Sequence, residues 1–279
     1  MKVGLIGSRG FIGHALQAKG DGQLMPLNVD IRDRAQIAAA IERFKPEVII
    51  NAAGKTGRPN VDWCESHRLE TVEANVTGPL LLAEECLKRS ILLVQIGTGC
   101  IYTGDNGGRG FLEDDSPNFD ASYYSRSKLH LEALLRDFPV LILRPRMPFD
   151  GTPHERNLIV KLSSYTAIVD SRNSMTCIDD LARATWVLIE KMKTGVFNVV
   201  NPGAISPVEI MELYQAIVDP AHTFEILSPS QLNARTLARR SNCVLSVEKL
   251  ESVGIALPPV RQAVISCLEV MASERRQTA

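Results

Sequence analysis

A tyrosine and a lysine in the middle of the chain have the spacing of a proton-transfer pair. Tyr124 and Lys128 stand four residues apart, so one helix presents both side chains on the same face. A free phenol has a pKa of about 10, and a neighbouring ammonium lowers that pKa by favouring the phenolate. Tyr123, five residues before Lys128, lies off the shared face. The pair predicts proton donation to a carbonyl or removal of a proton from an alcohol.

A glycine-rich turn near the start predicts a dinucleotide site. Its sequence is Gly7-Ser8-Arg9-Gly10-Phe11-Ile12-Gly13. It stands between an apolar strand and a helix, where glycines allow the backbone to approach a pyrophosphate at the helix N-terminus, and Ser8 is expected to donate to phosphate. The alternative is a glycine-rich connection with no ligand. The stretch Asn51-Ala52-Ala53-Gly54, after a later strand, favours cofactor binding. Together with Tyr124 and Lys128, the turn predicts hydride transfer.

Two residues bear on which cofactor binds. Asp30, followed by Ile31, comes after the predicted second strand and can accept a hydrogen bond from an adenine amino group or a ribose hydroxyl. Alternatively, Asp30 caps the helix that starts near Asp33. Arg9 can meet a 2′-phosphate through a charge-assisted bond, or it is a solvated loop cation. The sequence favours NADPH, with NADH possible.

Thr98 and Cys100 follow a strand that ends at Ile96. Ligands of open α/β sheets bind beyond the carboxyl ends of the strands, so Thr98 is placed to hydrogen-bond a reacting carbonyl. The alternative is a bond to local backbone. Side chains two residues apart in extended backbone point the same way, so Cys100 can face the same substrate as Thr98. The alternative for Cys100 is a packing role.

These residues need a sheet to hold them, and the hydrophobic pattern predicts one. Apolar strands alternate with helices up to Pro145, which is typical of a Rossmann-like, doubly wound parallel sheet covered on both faces. The predicted strands are 3–6, 24–29, 48–50, 91–96 and 140–143, and the predicted helices are 11–18, 32–44, 62–89 and 122–138. Later helices are predicted at 157–165, 179–192, 207–218, 247–253 and 259–272, with a strand at 196–200.

The change of pattern after Pro145 predicts two units. An NADP-binding Rossmann domain spans 1–150, with 176–204 returning to it. A smaller C-terminal substrate-binding lobe spans 151–175 and 205–279. The polar tail from Ser273 is expected to fray.

Composition argues against several other classes of protein. A net charge of −1 over 279 residues gives no electrostatic argument for a nucleic-acid or membrane partner. The six cysteines are scattered, so neither a metal site nor a disulfide framework is expected. No apolar run approaches the roughly 20 residues that span a bilayer, and a strand that starts at the first residues leaves no room for a signal peptide. We expect a cytoplasmic protein.

The chain resembles a known family at these residues. The glycine turn, Thr98, Tyr124 and Lys128 resemble the extended short-chain dehydrogenase/reductases that make deoxysugar nucleotides. More specific stretches closely resemble the UDP-4-keto-6-deoxyglucose 3,5-epimerase/4-reductases of UDP-L-rhamnose synthesis. These stretches are residues 51–67, 98–102, 144–148, 173–176 and 201–203. The likeness extends over about residues 2–270 and reaches, more distantly, dTDP-4-dehydrorhamnose reductase and GDP-fucose synthase.

The resemblance implies a two-step chemistry on a nucleotide-activated 4-keto-6-deoxyhexose, with UDP favoured. An acid/base pair inverts C3 and C5, for which Cys100 and Lys161 match the family's cysteine and lysine. NADPH then reduces C4 while Tyr124 protonates the oxygen. Two alternatives remain open. One is a plain 4-keto reductase, and the other is a non-catalytic NADP-binding regulatory subunit, like the β subunit of methionine adenosyltransferase.

Further contacts are expected on the same basis. Arg144 is expected at the cofactor. Lys55, Arg58 and Asn60 follow the third strand, where the sugar should sit. Asn157 and the cluster Arg235, Arg239 and Arg240 are candidates for the substrate diphosphate, although such a cluster can equally be a solvated helical face.

The five histidines lack ligand spacing and are expected to be structural or surface residues. A separate 4,6-dehydratase should supply the substrate, and family habit suggests a homodimer through helices near residues 70–89 and 122–137.

Overall fold

The computed structural model describes residues 1–20 and 24–278. Its strands, in chain order, are β1 Val3–Ile6, β2 Leu24–Pro26, β3 Val48–Asn51, β4 Leu92–Ile96, β5 Leu141–Arg144, β6 Pro148–Phe149, β7 Ala167–Val169, β8 Thr176–Cys177, β9 Gly195–Asn198 and β10 Glu225–Leu227. Its α-helices are α1 Phe11–Ala18, α2 Arg34–Phe44, α3 Asp62–Ser66, α4 Arg68–Val72, α5 Gly78–Leu87, α6 Tyr123–Leu135, α7 Leu158–Ser163, α8 Ile178–Glu190, α9 Pro207–Ile217, α10 Pro229–Arg235, α11 Glu248–Ser252 and α12 Val260–Thr278.

The main sheet has six parallel strands in the order β2-β1-β3-β4-β5-β9. Its strands are buried on both faces, so their side chains are apolar without alternation. Helices α1 and α8 pack on one face, and α2, α5 and α6 pack on the other. The doubly wound, Rossmann-like fold is therefore confirmed. Because all strands are parallel, their carboxyl ends meet at one edge, where the candidate residues lie.

The long helical stretch after β3 contains a π-helical turn. Residues Glu73–Thr77 form that turn between α4 and α5, directly before Pro79. A proline lacks the backbone N–H that an α-helix needs, and backbone angles at Thr77 and Gly78 stay helical. Pro79 is therefore accommodated without interrupting the helical stretch. π-turns are frequent at functional sites.

Short elements after β5 build a second layer beyond the sheet edge. Strand β6 pairs with β8, and β7 pairs with β10. Their apolar core includes Phe149, Ile159, Met175, Ile210 and Leu268. Helix α12 contributes to this core and runs to Thr278, so the expectation of a frayed tail from Ser273 is wrong for the residues described. No helix among the described residues is long and apolar enough to cross a membrane.

Candidate active site

The glycine turn after β1 is shaped so that only glycine fits at two of its positions. Gly7 has φ +82°, and a Cβ on it would lie 2.6 Å from the backbone N of Ala53. A Cβ on Gly13 would lie 2.1 Å from the carbonyl oxygen of Gly7. Such contacts are far inside van der Waals distance, so the turn, the start of α1 and the segment after β3 pack backbone against backbone. This close packing leaves the N-terminus of α1 open, as binding of a pyrophosphate requires.

A groove of about 600 Å³ runs alongside this turn, and we call it the glycine-turn groove. Its lining includes most of the residues that the sequence assigned to the adenosine half of a cofactor: Gly7, Ser8, Arg9, Gly10, Asp30, Ile31 and Ala53. The remaining cofactor candidates near the turn support it from behind. Ile12 and Ala52 pack against the core of the sheet, and Asn51 is buried with its amide donating to Gln95 Oε1 at 2.8 Å. The groove and the glycine packing together fit a dinucleotide.

Asp30 does not cap a helix. Its carboxylate pairs with Arg32 at 2.6 Å, and hydrogen bonds from Arg32 hold the pKa of Asp30 at about 2. The cap of α2 is Asp33, which accepts from the backbone N–H groups of Ala35 and Gln36. Asp30 lines the groove, and Arg32 is paired with it. Arg9 was the cation expected at this groove, and no pattern in the sequence pointed to Arg32.

Two of the residues predicted for chemistry, Tyr124 and Cys100, line a second cavity of about 580 Å³, which we call the tyrosine cavity. Thr98 acts on the Tyr124 phenol by lowering its pKa, and Thr98 Oγ1 accepts from the backbone N–H of Cys100 at 3.1 Å. Thr98 therefore makes the bond to local backbone that was its alternative role, while the phenol and the thiol face one cavity beyond β4.

Two anchors fix the first turn of α6, which carries Tyr124. Ser122 caps the helix by accepting from the backbone N–H of Ser125 at 3.1 Å. The carboxylate of Glu65 accepts from the backbone N–H of Tyr123 at 2.6 Å. Because the backbone N–H groups of Tyr123 and Ser125 are hydrogen-bonded in this way, the start of α6 holds the phenol at a defined position.

Lys128 is buried one turn further along α6. Its Nζ donates to the carbonyl oxygen of Ile96 at 2.7 Å, and burial lowers its pKa to about 8, with the charge of Glu132 opposing. Burial also raises the pKa of Tyr124, the charge of Cys100 adds to that rise, and Thr98 opposes it. The lowered tyrosine pKa expected from the ammonium is therefore not what the structure gives, because desolvation is the largest cause and acts in the opposite direction.

Arg144 lies away from both cavities. Its side chain is fully buried and pairs with Glu132 at 2.5 Å, and its Nη1 donates to the Tyr102 hydroxyl at 3.2 Å. The expected contact with the cofactor does not form, because this guanidinium joins α6 to the end of β5. The sequence reasoning gave no role to Arg146, two residues further on, which lines the tyrosine cavity. The only signal for it is its place in the stretch 144–148.

Asn157 is likewise turned away from any ligand. It is fully buried, caps α7 by accepting from the backbone N–H of Ile159 at 3.0 Å, and donates to the carbonyl oxygen of Asp150 at 2.9 Å. These bonds use its amide to shape the loop before α7. The expected contact with a diphosphate is therefore replaced by a structural role.

The remaining substrate candidates divide into two groups. Four of them line the tyrosine cavity with Tyr124 and Cys100: Asn60, Arg235, Arg239 and Arg240. Arg240 is held by Asp62 at 2.8 Å. Lys55 instead lies over the ring of Trp63, 5.1 Å from its centroid, and Arg58 pairs with Glu155 at 2.6 Å while 74% exposed.

Helix α7 borders the same cavity, although Lys161 is not among its lining residues. Leu158 and Leu162 face the cavity, and Lys161 lies on the adjacent face of the helix. Lys161 is half-buried, and burial together with the charge of Arg156 lowers its pKa. A lowered lysine pKa suits acid/base work near neutral pH.

A segment before α7 touches the glycine turn, which sequence reasoning did not foresee. The ring of His154 stacks on Phe11 with centroids 4.8 Å apart. Arg156 donates to the carbonyl oxygen of Gly57 at 2.6 Å and to Thr56 Oγ1 at 3.1 Å. The second layer is thereby tied to loops that follow β1 and β3. His154 has no ligand spacing, so no pattern in the sequence signals this contact.

Comparisons with known proteins agree with this arrangement. The family profile of the RmlD substrate binding domain matches residues 1–273. A bifunctional dTDP-4-dehydrorhamnose 3,5-epimerase/dTDP-4-dehydrorhamnose reductase of Arabidopsis thaliana is 39% identical over 277 residues, covering 95% of this chain and 89% of that protein. A trifunctional UDP-glucose 4,6-dehydratase/UDP-4-keto-6-deoxy-D-glucose 3,5-epimerase/UDP-4-keto-L-rhamnose-reductase of the same plant is 38% identical over 260 residues. That match covers 90% of this chain but only 39% of the trifunctional protein.

Two solved structures of related enzymes have the same fold as this chain. The L780 UDP-rhamnose synthase of Acanthamoeba polyphaga mimivirus superposes with a TM-score of 0.92 at 33% identity, covering 97% of this chain and 99% of that one. The dTDP-4-dehydrorhamnose reductase of Bacillus anthracis, solved in complex with NADP, has a TM-score of 0.84 at 22% identity, covering 98% of this chain and 100% of that one. At that identity the second likeness is one of fold.

Proposed function

The chain belongs to the family of the RmlD substrate-binding domain, and on that premise we propose that it is an enzyme of nucleotide-L-rhamnose synthesis. It epimerises a nucleotide-linked 4-keto-6-deoxyhexose at C3 and C5 and then reduces the 4-keto group with NADPH. UDP is the favoured nucleotide, as the mimivirus neighbour is named a UDP-rhamnose synthase. The observation that carries the proposal is that Tyr124 and Cys100 line one cavity.

The reduction uses residues already in contact. NADPH, when bound, supplies the hydride for C4, and the glycine-turn groove would hold its adenosine and pyrophosphate. Tyr124 donates its proton to the C4 oxygen, and its raised pKa keeps the proton on the phenol until the oxygen becomes basic. We assign to Thr98, which already acts on the phenol by lowering its pKa, the role of hydrogen-bonding the C4 oxygen, and Lys128 is the adjoining cation.

The epimerisation needs a base and an acid on opposite faces of the ring. The 4-keto group acidifies the hydrogens on C3 and C5. We assign the first role to the Cys100 thiolate, which takes a proton from one face and leaves an enolate whose oxygen lies at Thr98 and Tyr124. Lys161 returns a proton to the other face, which inverts the carbon. The neighbouring Arg156 and the partial burial of Lys161 support its use as an acid.

The substrate also implies where it comes from. A 4-keto-6-deoxyhexose is the product of a 4,6-dehydratase, an activity named in the trifunctional plant relative. We propose that such a dehydratase supplies this enzyme.

Proton exchange followed by NMR tests the proposal. In deuterated water with UDP-4-keto-6-deoxyglucose and no NADPH, deuterium should enter C3 and C5. Adding NADPH should then give the rhamnose product with one NADPH oxidised per sugar. Cys100→Ser should lose the exchange and still reduce a pre-epimerised sugar. Reduction without any exchange would leave a plain 4-keto reductase, and no turnover with any nucleotide form of the sugar would defeat the proposal.

Tyr124→Phe tests the proton donor. Loss of a positioned general acid costs about 10²–10⁴-fold in rate, so NADPH oxidation should fall by that factor while NADPH still binds. Tyr123→Phe is a matched control, because it removes the same hydroxyl from the neighbouring position and its ring packs between Arg68 and Arg126. NADPH oxidation by Tyr124→Phe as fast as by Tyr123→Phe would contradict the role of Tyr124 as the proton donor.

A further inference from the structure

A buried arginine touches the thiol in the tyrosine cavity. Arg146 follows β5 and is 1% exposed. Its Nη1 lies 3.5 Å from Cys100 Sγ and also donates to Ser241 Oγ at 2.8 Å. Its Nη2 donates to the carbonyl oxygen of Ser241 at 2.7 Å and to Asn173 Oδ1. The guanidinium is thus held from two sides with one edge against the sulfur.

This cation has no acidic partner, unlike its neighbour. Arg144, two residues earlier, is equally buried and pairs with Glu132. None of the ion pairs formed within residues 1–20 and 24–278 includes Arg146, and its Nε is buried without a hydrogen-bond partner. A guanidinium does not lose its proton in a protein, and a buried charge without a counter-ion is costly. The titratable acid that its guanidinium contacts is the thiol of Cys100, at 3.5 Å.

We propose that Arg146 is a positioning residue that holds Cys100 as a thiolate and orients it into the tyrosine cavity. This inference rests on the proposed function, because it gives the thiol of the epimerisation step the form in which it can take a proton. Thiolates form where a thiol meets Arg, Lys or another cation in a partly exposed site, and Cys100 is partly exposed within the cavity.

Three arginines share the cavity with Cys100, namely Arg235, Arg239 and Arg240, and two other acids interact with its thiol. The phenol of Tyr124 comes from α6, and the negative charge of Cys100 raises the pKa of that phenol. The thiol of Cys243 comes from the segment after α10; burial raises its pKa, the charge of Arg146 lowers it and that of Cys100 raises it further. Cys243 is 1% exposed and cannot face substrate. Arg146 is the cation whose guanidinium contacts the Cys100 sulfur, so it is the one we assign to favour the anion at Cys100, and the resulting anion keeps Tyr124 protonated for the later reduction.

Alkylation of Cys100 by iodoacetamide tests this without any substrate turnover. The thiolate is the species that reacts, and the labelled peptide is identified by mass spectrometry. Between pH 6 and pH 9 the rate at a free thiol rises by about two hundredfold. In the wild-type protein the rate at Cys100 should rise by less than about tenfold. A rise as steep as that of a free thiol would overturn the inference, whether or not any variant folds.

Two variants complete the test. Arg146→Gln should reduce the rate at pH 7 by about tenfold or more and move the pH profile to higher pH, while Arg146→Lys should restore part of the reactivity because it keeps the charge. Alkylation of buried Cys243 in each variant reports any loosening of the fold. Identical profiles for wild-type and folded Arg146→Gln would contradict the inference. If the profile depends on Arg146 but deuterium exchange is absent, the thiolate holds and the proposed epimerisation fails.

Discussion

Lys128 shows how strongly burial acts on a single residue in this site. Its side chain is 8% exposed, and its pKa falls from 10.5 to about 8. The unfolded chain therefore binds more protons than the folded protein between these two pH values, so this group makes stability rise with pH across that interval. Below pH 8 the Lys128 amine is protonated in both the folded and the unfolded protein. The folded protein then bears the full free-energy cost of burying the ammonium.

Lys128→Met should therefore stabilise the protein at neutral pH. A difference of 2.5 pKa units corresponds to about 3 kcal/mol, and the variant should gain up to that amount at pH 7. Ile96 keeps a partner, since Gln95 Nε2 also donates to its carbonyl oxygen at 2.9 Å. The gain should shrink as the pH rises from 8 towards 10.5. Urea denaturation at several pH values measures it, with the exposed Lys2→Met as control. A gain that is constant with pH would contradict this account.

The residues of the site were predictable where they are close in sequence. Thr98, Cys100 and Tyr124 meet as their spacing suggested, because a strand end and a helix start impose simple geometry. Arg146 and Cys100 are 46 residues apart and meet because β5 lies beside β4. No local pattern specifies which strands become neighbours. Arg144 was misassigned for the same reason, because its partner Glu132 is visible only once α6 is packed on the sheet.

At the scale of elements, α6 is fixed to the sheet by a buried ion pair. Glu132 lies one turn beyond Lys128, and Arg144 ends β5. Arg144→Leu removes the buried partner of the Glu132 carboxylate and leaves the more exposed Arg136 as its ion-pair partner, and breaking a buried pair typically costs about 3–5 kcal/mol. The double variant Glu132→Leu/Arg144→Leu should recover at least half of that loss.

Urea denaturation of the two single variants and the double variant measures this coupling. Arg58→Leu is the control, because its pair with Glu155 lies at the surface, with side chains 74% and 59% exposed, and its loss should cost less than about 1 kcal/mol. If the loss of unfolding free energy in the double variant equals the sum of the two single losses, the pair does not join α6 to the sheet.

The sheet elements were predictable because each is a buried apolar run between helices. The strands of the second layer were not. Strands β6 and β8 have two residues each, and β7 and β10 have three. These strands are too short to show an alternation of apolar and polar residues in the sequence. Helix α10 has no buried residue, so it lacks an apolar face. The end of α12 was missed because its last turns are polar, although the helix itself is anchored by packing near Leu268.

At the scale of the whole molecule, the two layers meet around the tyrosine cavity. The first contributes Tyr124 and Cys100 from beyond its strands, and the second contributes α7 and the segment around Arg239. The contacts of His154 and Arg156 join them on the side of the glycine turn. The family was predictable because stretches from both layers carry its motifs, and the match over residues 1–273 confirms it.

The outer faces of α4 and α6 bear on assembly, which the family resemblance predicts to be a homodimer. These helices pack side by side, yet Leu69 and Leu134 remain 71% and 51% exposed. Burying such side chains against a second copy would be favourable by roughly 1.5–3 kcal/mol each, whereas a buried unpaired charge is strongly unfavourable.

Leu134→Arg should therefore convert a dimer to a monomer, and light scattering measures the mass. Leu237→Arg, at a residue that is 78% exposed outside these helices, should leave the mass unchanged. A wild-type protein of monomeric mass, or a dimer that is indifferent to Leu134→Arg, would exclude this surface as the interface.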